Sequence, residues 1–293
     1  KQMDWSQVSL KGFRISERRY GQFMAWLADD RLVVESLTSI INDGDTDNLI
    51  CPYIDLPDTF EAYLSERLSS NSRQKVRRLL RKLGSSSDYR ITTTSAETRS
   101  RDVEILETLW RKMWSASKGA ETRRKATKYG LIVKRGLDDD MVHMVVLWHG
   151  DTPVGALASF VDWENSRLLF FVGSRDEHFH DIPVGVVLHT HNIRWAIERG
   201  IKTYDLLRGN EPYKYSLGAV DAHLKYSVIS TKSGINLNGK LDPGCVSDAL
   251  RLAEDFAERE QTLEAMTLCH QVLTTVPGHP AAKRLLSALV DAL

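Results

Sequence analysis

The stretch "YDLLRGNEPYKYSLG", Tyr204 to Gly218, places Asp205, Arg208, Glu211, Tyr213 and Lys214 within ten residues. Two carboxylates, a phenol and two cations so close together can accept a proton, donate one and hold an anion, which is the equipment of general acid–base chemistry. Arg208 with Glu211 and Asp205 with Lys214 could instead pair as a surface loop. Exposed pairs contribute only ~0–1 kcal/mol, so stability alone is a weak reason for the cluster.

A second concentration of charge lies between Arg67 and Lys82, where seven basic residues occur without an acid. Arg73, Arg77 and Arg81 recur four apart, on one stripe of a helix whose buried face is Val76, Leu79, Leu80 and Leu83. Like charges at that spacing repel, so the stripe is a candidate anion site for a donor phosphate, a phosphorylated acceptor or a tRNA acceptor stem; a solvated face paired with acids elsewhere is the alternative. His178, His180, His189 and His191 suggest metal ligation, but His189 and His191, two apart on a helix, point in different directions. No metal is expected. No GxxxxGK[ST], GxGxxG or GxSxG string occurs, which argues against P-loop, dinucleotide and nucleophile-elbow chemistry.

The elements that would carry these residues read as α/β. Segments 4–10 and 31–37 alternate like strands around a helix at 16–30, and "LICPYIDLP" reads as a buried strand closed by Pro57. Asp58 and Glu61 form a capping-box pair before one long helix to about Leu83. "YRITTTS" is strand-like, and helices follow at about 96–117 and 122–137. "MVHMVVLWHGDTPVGALASFVDWENSRLLFFVG" then gives three strands in a row. A helix from Val184 to Arg199 ends at Gly200, "KTYDLL" is a strand, the ionisable cluster is its loop, and "HLKYSVIS" is a last strand. From about Gly244 onward the pattern is wholly helical. This order predicts a mixed sheet with helices on both faces and a C-terminal helical appendage.

The 293 residues, 42% of them apolar, supply ample core for one large domain and an appendage. With 39 basic and 39 acidic residues, no global field points to nucleic acid or a membrane surface. No apolar run approaches the ~18–20 residues of a membrane span. Cys51, Cys245 and Cys269, odd in number and far apart, suit reduced thiols in a cytoplasmic compartment. The start "KQMDWSQ" has neither a signal-peptide apolar run nor an initiator methionine, so the sequence is expected to begin downstream of the gene's start.

The order of elements, with "CPYIDLPDTFEAYLSERLSSNSRQKVRRLLRKL", "DTPVGALASF", "FFVGSRDEHFHDIPVGVVLHTHNIRWAIERG" and "YDLLRGNEPYK", resembles a branch of the GNAT acyltransferase superfamily. That branch includes cellulose and exopolysaccharide biosynthesis acyltransferases and is related to Fem-type aminoacyl transferases. The likeness covers roughly Asp4 to Thr231. It implies residues 1–57 as the remnant of an N-terminal GNAT-like half and 58–232 as an acyltransferase domain. Separately, the tail 245–293 is similar to a tetratricopeptide unit, with Ala253, Phe256, Ala257, Ala265, Leu268, Leu273, Pro277, His279, Pro280 and Ala281 near that repeat's small, large and proline positions. One such repeat cannot bury its own face, so the tail is expected to dock on the catalytic domain, a twin subunit or a protein partner.

The resemblance implies an N-acyltransferase that takes acyl-CoA as co-substrate, uses no metal, and acylates an amine of a sugar or amino-acid-like metabolite. Its donor site would be Pro183, Val184, Gly185 and Val186, where free backbone N–H groups at a helix start favour phosphate. A helix start capped by Asp181 is the alternative reading. Strands 168–173 and 202–207 should splay to admit the pantetheine arm, with an N–H near Phe171 to Gly173 facing the oxyanion. Glu211 would accept the amine's proton, Arg208 and Lys214 hold an anionic acceptor group or the developing charge, Tyr213 protonate the thiolate, and Asp205 orient Arg208. Two other readings stand beside this one: a Fem-type transferase using aminoacyl-tRNA, the only case in which nucleic acid is a partner, and an inactive GNAT-fold interaction module.

Overall fold

The computed structural model describes residues 5–42, 45–118 and 121–291. The chain divides into two compact units, one of residues 39–223 and one of 1–38 with 224–293.

Residues 39–223 form a six-stranded mixed sheet flanked by helices. The strands are β3 (Tyr53–Asp55), β4 (Tyr89–Thr93), β5 (Val142–His149), β6 (Thr152–Asp162), β7 (Arg167–Arg175) and β8 (Thr203–Asp205), in the order β3-β8-β7-β6-β5-β4. Only β7 and β8 run parallel. The crossover between them is a helix, α6 (Val184–Glu198), as a parallel connection requires. The alternation of β5 shows why helices cover both faces. Met144, Val146 and Trp148 enter one core, against α4 (Arg99–Lys118) and α5 (Glu121–Asp138), while Val145 and Leu147 enter the opposite core, against α3 (Ser70–Ser85) and α6. Gly155 on β6 brings α6 close: a Cβ there would lie 2.3 Å from Val184 Cγ1, so only glycine lets the first turn of α6 seat on the sheet.

The single helix expected from Asp58 to Leu83 is two, α2 (Phe60–Glu66) and α3. Each has its own cap: Thr59 Oγ1 accepts from Ala62 N at 3.1 Å, and Ser69 Oγ accepts from Ser72 N at 3.2 Å. The expected capping pair is occupied elsewhere, since Lys202 donates to Asp58 at 2.7 Å and Arg77 to Glu61 at 2.8 Å. A short helix, α7 (Pro212–Ser216), occupies what reads as loop, started by Pro212 in its first turn.

The second unit contains β1 (Gln7–Phe13), α1 (Glu17–Trp26), β2 (Leu32–Leu37) and β9 (Lys225–Thr231). β9 lies between β1 and β2, antiparallel to both, rather than extending the six-stranded sheet. Side-chain alternation fixes which residues of a strand face inward, but not which distant strands it joins. The C-terminal residues form α8 (Val246–Glu258), α9 (Thr262–Thr275) and α10 (Pro280–Asp291). These helices bury small residues against one another: Ala253, Ala265, Cys269 and Leu289 make one cluster, and Val246, Ala249, Val272 and Ala282 another.

Candidate active site

The pairing of β7 with β8 ends early. Leu169 opposite Asp205 is their last pair, yet β7 continues to Arg175. Opposite β6 the register slips so that Phe171 is an extra residue between Phe170 and Val172. Asp176 N donates to Val154 O on β6, so strand alternation turns the N–H groups of Gly173 and Arg175 the other way, to the edge β8 has left. The expected divergence of the two strands is therefore present.

At this opening lies a cleft of about 1230 Å3. One wall is the start of α6. Pro183 is its N-cap with no side-chain hydrogen bond, and Asp181 does not cap it, because Lys82 holds Asp181 Oδ1 at 2.7 Å. Val187 N bonds to Pro183 O, which leaves the N–H groups of Val184, Gly185 and Val186 without an intrahelical partner. A Cβ on Gly185 would meet nothing within 4 Å. Ser174 also lines the cleft, buried, with its Oγ lacking a hydrogen-bond partner. Uncapped amides, a side-chain-free position and an orphan hydroxyl fit a ligand with phosphate at one end and amides along its length.

Glu211 and Tyr213 also line the cleft. Their loop is strained: Leu207 has φ +55° and Gly209 φ +98°. It is held by Leu206 N to Pro52 O at 2.9 Å, Gly209 N to Ile50 O at 2.8 Å, and Leu207 N to Asp205 Oδ1 at 2.9 Å. Lys214, only 2% exposed, sits beneath it. Its Nζ donates to Arg208 O and Gly209 O at 2.8 Å and to Leu207 O at 3.3 Å, and lies 3.0 Å from Glu211 Oε2. Three N–H donors facing four oxygens are fully committed. Lys214 thus pins the loop and leaves no donor for an acceptor's anionic group, contrary to the sequence expectation. Glu211 Oε2 is buried by this pairing while the side chain as a whole stays partly exposed, so Oε1 is its solvent-facing oxygen.

Burial and the Glu211 carboxylate raise the Tyr213 pKa, so the phenol keeps its proton. Beside it, His189 Nδ1 lies 2.8 Å from Tyr204 Oη, and burial lowers the His189 pKa to about 3. His189 lines the cleft as a neutral imidazole, with its ring 5.7 Å from that of Tyr213.

Of the residues expected from sequence, Phe171, Gly173, Pro183, Val184, Gly185, Val186, Glu211 and Tyr213 line this one cleft. Asp205, Arg208 and Lys214 do not. Asp205 is buried and also accepts from Cys51 Sγ at 3.4 Å, while the Arg208 side chain is exposed. Nor do Arg73, Arg77 and Arg81 reach it. Arg73 donates to Ser65 O at 3.2 Å and Arg77 pairs with Glu61, so the chain's own groups already engage part of the stripe. Sequence reasoning missed Ser174, Trp110 and Met113, which carry no motif, and weighed His189 only as a metal ligand, yet all four line the cleft.

Residues 70–215 match a family model described as "Acetyltransferase (GNAT) domain". No curated protein sequence matches the chain. Among solved structures, a conserved protein of unknown function from Bacteroides thetaiotaomicron is 13% identical, with 74% of this chain and 67% of that one covered, at a TM-score of 0.52. FemX is 10% identical, with 76% and 71% covered, at 0.45. A PaiA N-acetyltransferase from Thermoplasma acidophilum, in complex with coenzyme A, is 12% identical, with 39% and 74% covered, at 0.32. The first shares the fold, and the other two are distant likenesses. The GNAT-domain match supports a transferase.

Proposed function

We propose that this chain is an N-acyltransferase that moves an acyl group from acyl-CoA to the amine of a sugar or amino-acid-like metabolite. The observation that carries the reading is a single cleft joining the uncapped start of α6, the unpaired edge of β7, and Glu211 with Tyr213. The pyrophosphate would rest on the N–H groups of Val184, Gly185 and Val186, favoured by the helix dipole. The pantetheine would run along the free edge of β7, with Ser174 Oγ as a further partner. Gly173 N–H, on that edge, would stabilise the oxyanion.

The amine nitrogen attacks the thioester carbon, and its proton passes to Glu211 Oε1. When the carbon–sulfur bond breaks, the thiolate takes the proton of Tyr213, and the phenolate, which burial disfavours, regains a proton from Glu211 through solvent, so both groups return to their starting states. Lys214 fixes Glu211 from below, and Asp205 fixes the turn through Leu207 N. The test is release of free coenzyme A thiol from acyl-CoA in the presence of a panel of amines. Release dependent on one amine class supports the reading, and none with any amine counts against it.

A second reading, a Fem-type transferase using aminoacyl-tRNA, is favoured by one feature. Lys75, Arg78 and Arg81 are exposed on α3 with no acid in its first turn. Binding of acceptor-stem RNA with strong salt dependence, lost on neutralising these three, would support it.

A further inference from the structure

The cleft has a chemically distinct end. Charged groups, Arg175, Asp176 and Glu177, line it beside the start of α6, whereas its side toward α4 and α5 is Trp110, Met113, Trp114, Tyr129 and Phe171. These rings form a continuous surface: Trp110 meets Tyr129 edge-on at 5.3 Å, and Tyr129 meets Phe171 edge-on at 5.6 Å. Phe171 is the extra residue of the β7 bulge, so the bulge that opens the strand also sets an aromatic ring in the cleft wall. Among the described residues lining the cleft, the carboxylates are Asp176, Glu177 and Glu211, and Glu211 belongs to the loop after β8, not to this wall.

We propose that the aromatic end receives an extended apolar acyl chain or aryl group of the thioester donor, so that the natural acyl group is larger than acetyl. The proposal rests on the donor reading above and adds the class of group transferred. A donor seated with phosphate at α6 and its arm along β7 brings its carbonyl to the gap between the strands, and an acyl chain continuing past that point meets the rings. An amine must reach the same carbonyl from a side with an acceptor for its proton, and that side is Glu211. The rival occupant is a charged amine held against the ring faces.

The test is calorimetric titration of the full chain with coenzyme A, acetyl-CoA, hexanoyl-CoA and decanoyl-CoA, and separately with butylamine, hexylamine and decylamine. The expected result is thioester affinity rising about fourfold per added methylene until the wall is filled, from ~0.8 kcal/mol per buried CH2. Tyr129→Ala should shrink the ratio of decanoyl-CoA to coenzyme A affinity several-fold, and the wild-type series decides the matter should that variant misfold. Coenzyme A binding with flat affinity from acetyl to decanoyl overturns this inference and leaves the donor reading standing. A rise confined to the amines overturns it too, by giving the rings to the acceptor. Failure of every thioester, decanoyl-CoA included, overturns both.

Discussion

Lys214 Nζ lies 3.0 Å from Glu211 Oε2 while donating to the carbonyls of Arg208 and Gly209 at 2.8 Å. One buried ammonium thereby fixes both the turn and one oxygen of the carboxylate that faces the cleft. Removing it would strand three carbonyls and a buried carboxylate oxygen. Lys214→Met should lower stability by on the order of 3 kcal/mol in chemical denaturation, as expected for breaking a buried pair from one side. Unchanged stability with a raised acceptor KM would instead give Lys214 the binding role that its place in the sequence suggests.

Gly209 is coupled to the same carboxylate. A Cβ there would lie 2.7 Å from Glu211 Oε2, at a φ of +98° that other residues rarely adopt. Gly209→Ala should therefore cost about 1–3 kcal/mol and reduce turnover by displacing Glu211, with coenzyme A affinity retained. Denaturation and steady-state kinetics on one sample separate the two effects.

Turnover itself should depend on Glu211. Glu211→Gln keeps the shape but removes the proton acceptor, and a general base typically contributes ~10²–10⁴ in rate. Loss in that range with unchanged donor affinity is the expected outcome, and full turnover would leave the loop as a binding element only.

Two buried histidines predict acid sensitivity. Burial lowers the pKa of both His143 and His189 to about 3. The unfolded chain takes up these protons near pH 6.5 while the folded one resists, so stability is complete above about 6.5 and falls as pH drops toward 3. At pH 5 the loss should be about 2 kcal/mol per histidine. Melting temperature against pH should show this fall, and His143→Phe, which keeps a ring stacked on Trp195, should flatten it.

Much of this was legible in the sequence, for reasons that also mark its limit. The runs that become β5, β6 and β7 are long, apolar and separated by polar turns, and α6 begins at Val184 as its pattern indicates. The candidate donor residues Pro183 to Val186 come from the resemblance, which puts them at that helix start. From its charge Lys214 is expected to hold an anion, whereas three carbonyls converge on it only once Leu207 and Gly209 adopt left-handed conformations. The basic stripe stays open in the sequence between an anion site and a face paired with acids elsewhere, because Glu61 and Asp181, which pair with Arg77 and Lys82, lie outside the basic segment. β9 joins β1 and β2 across some two hundred residues, a pairing that local periodicity does not encode.

The central claim, that the start of α6 and the open edge of β7 hold an acyl-CoA, is met most directly by calorimetric titration of coenzyme A into the wild type and Gly185→Val. Gly185 has open space where a side chain would stand, so valine should leave the fold and melting temperature intact while filling the phosphate cradle. Saturable single-site binding to the wild type, lost in Gly185→Val, is the predicted result. No binding to the wild type, or equal binding to a folded Gly185→Val, would contradict it.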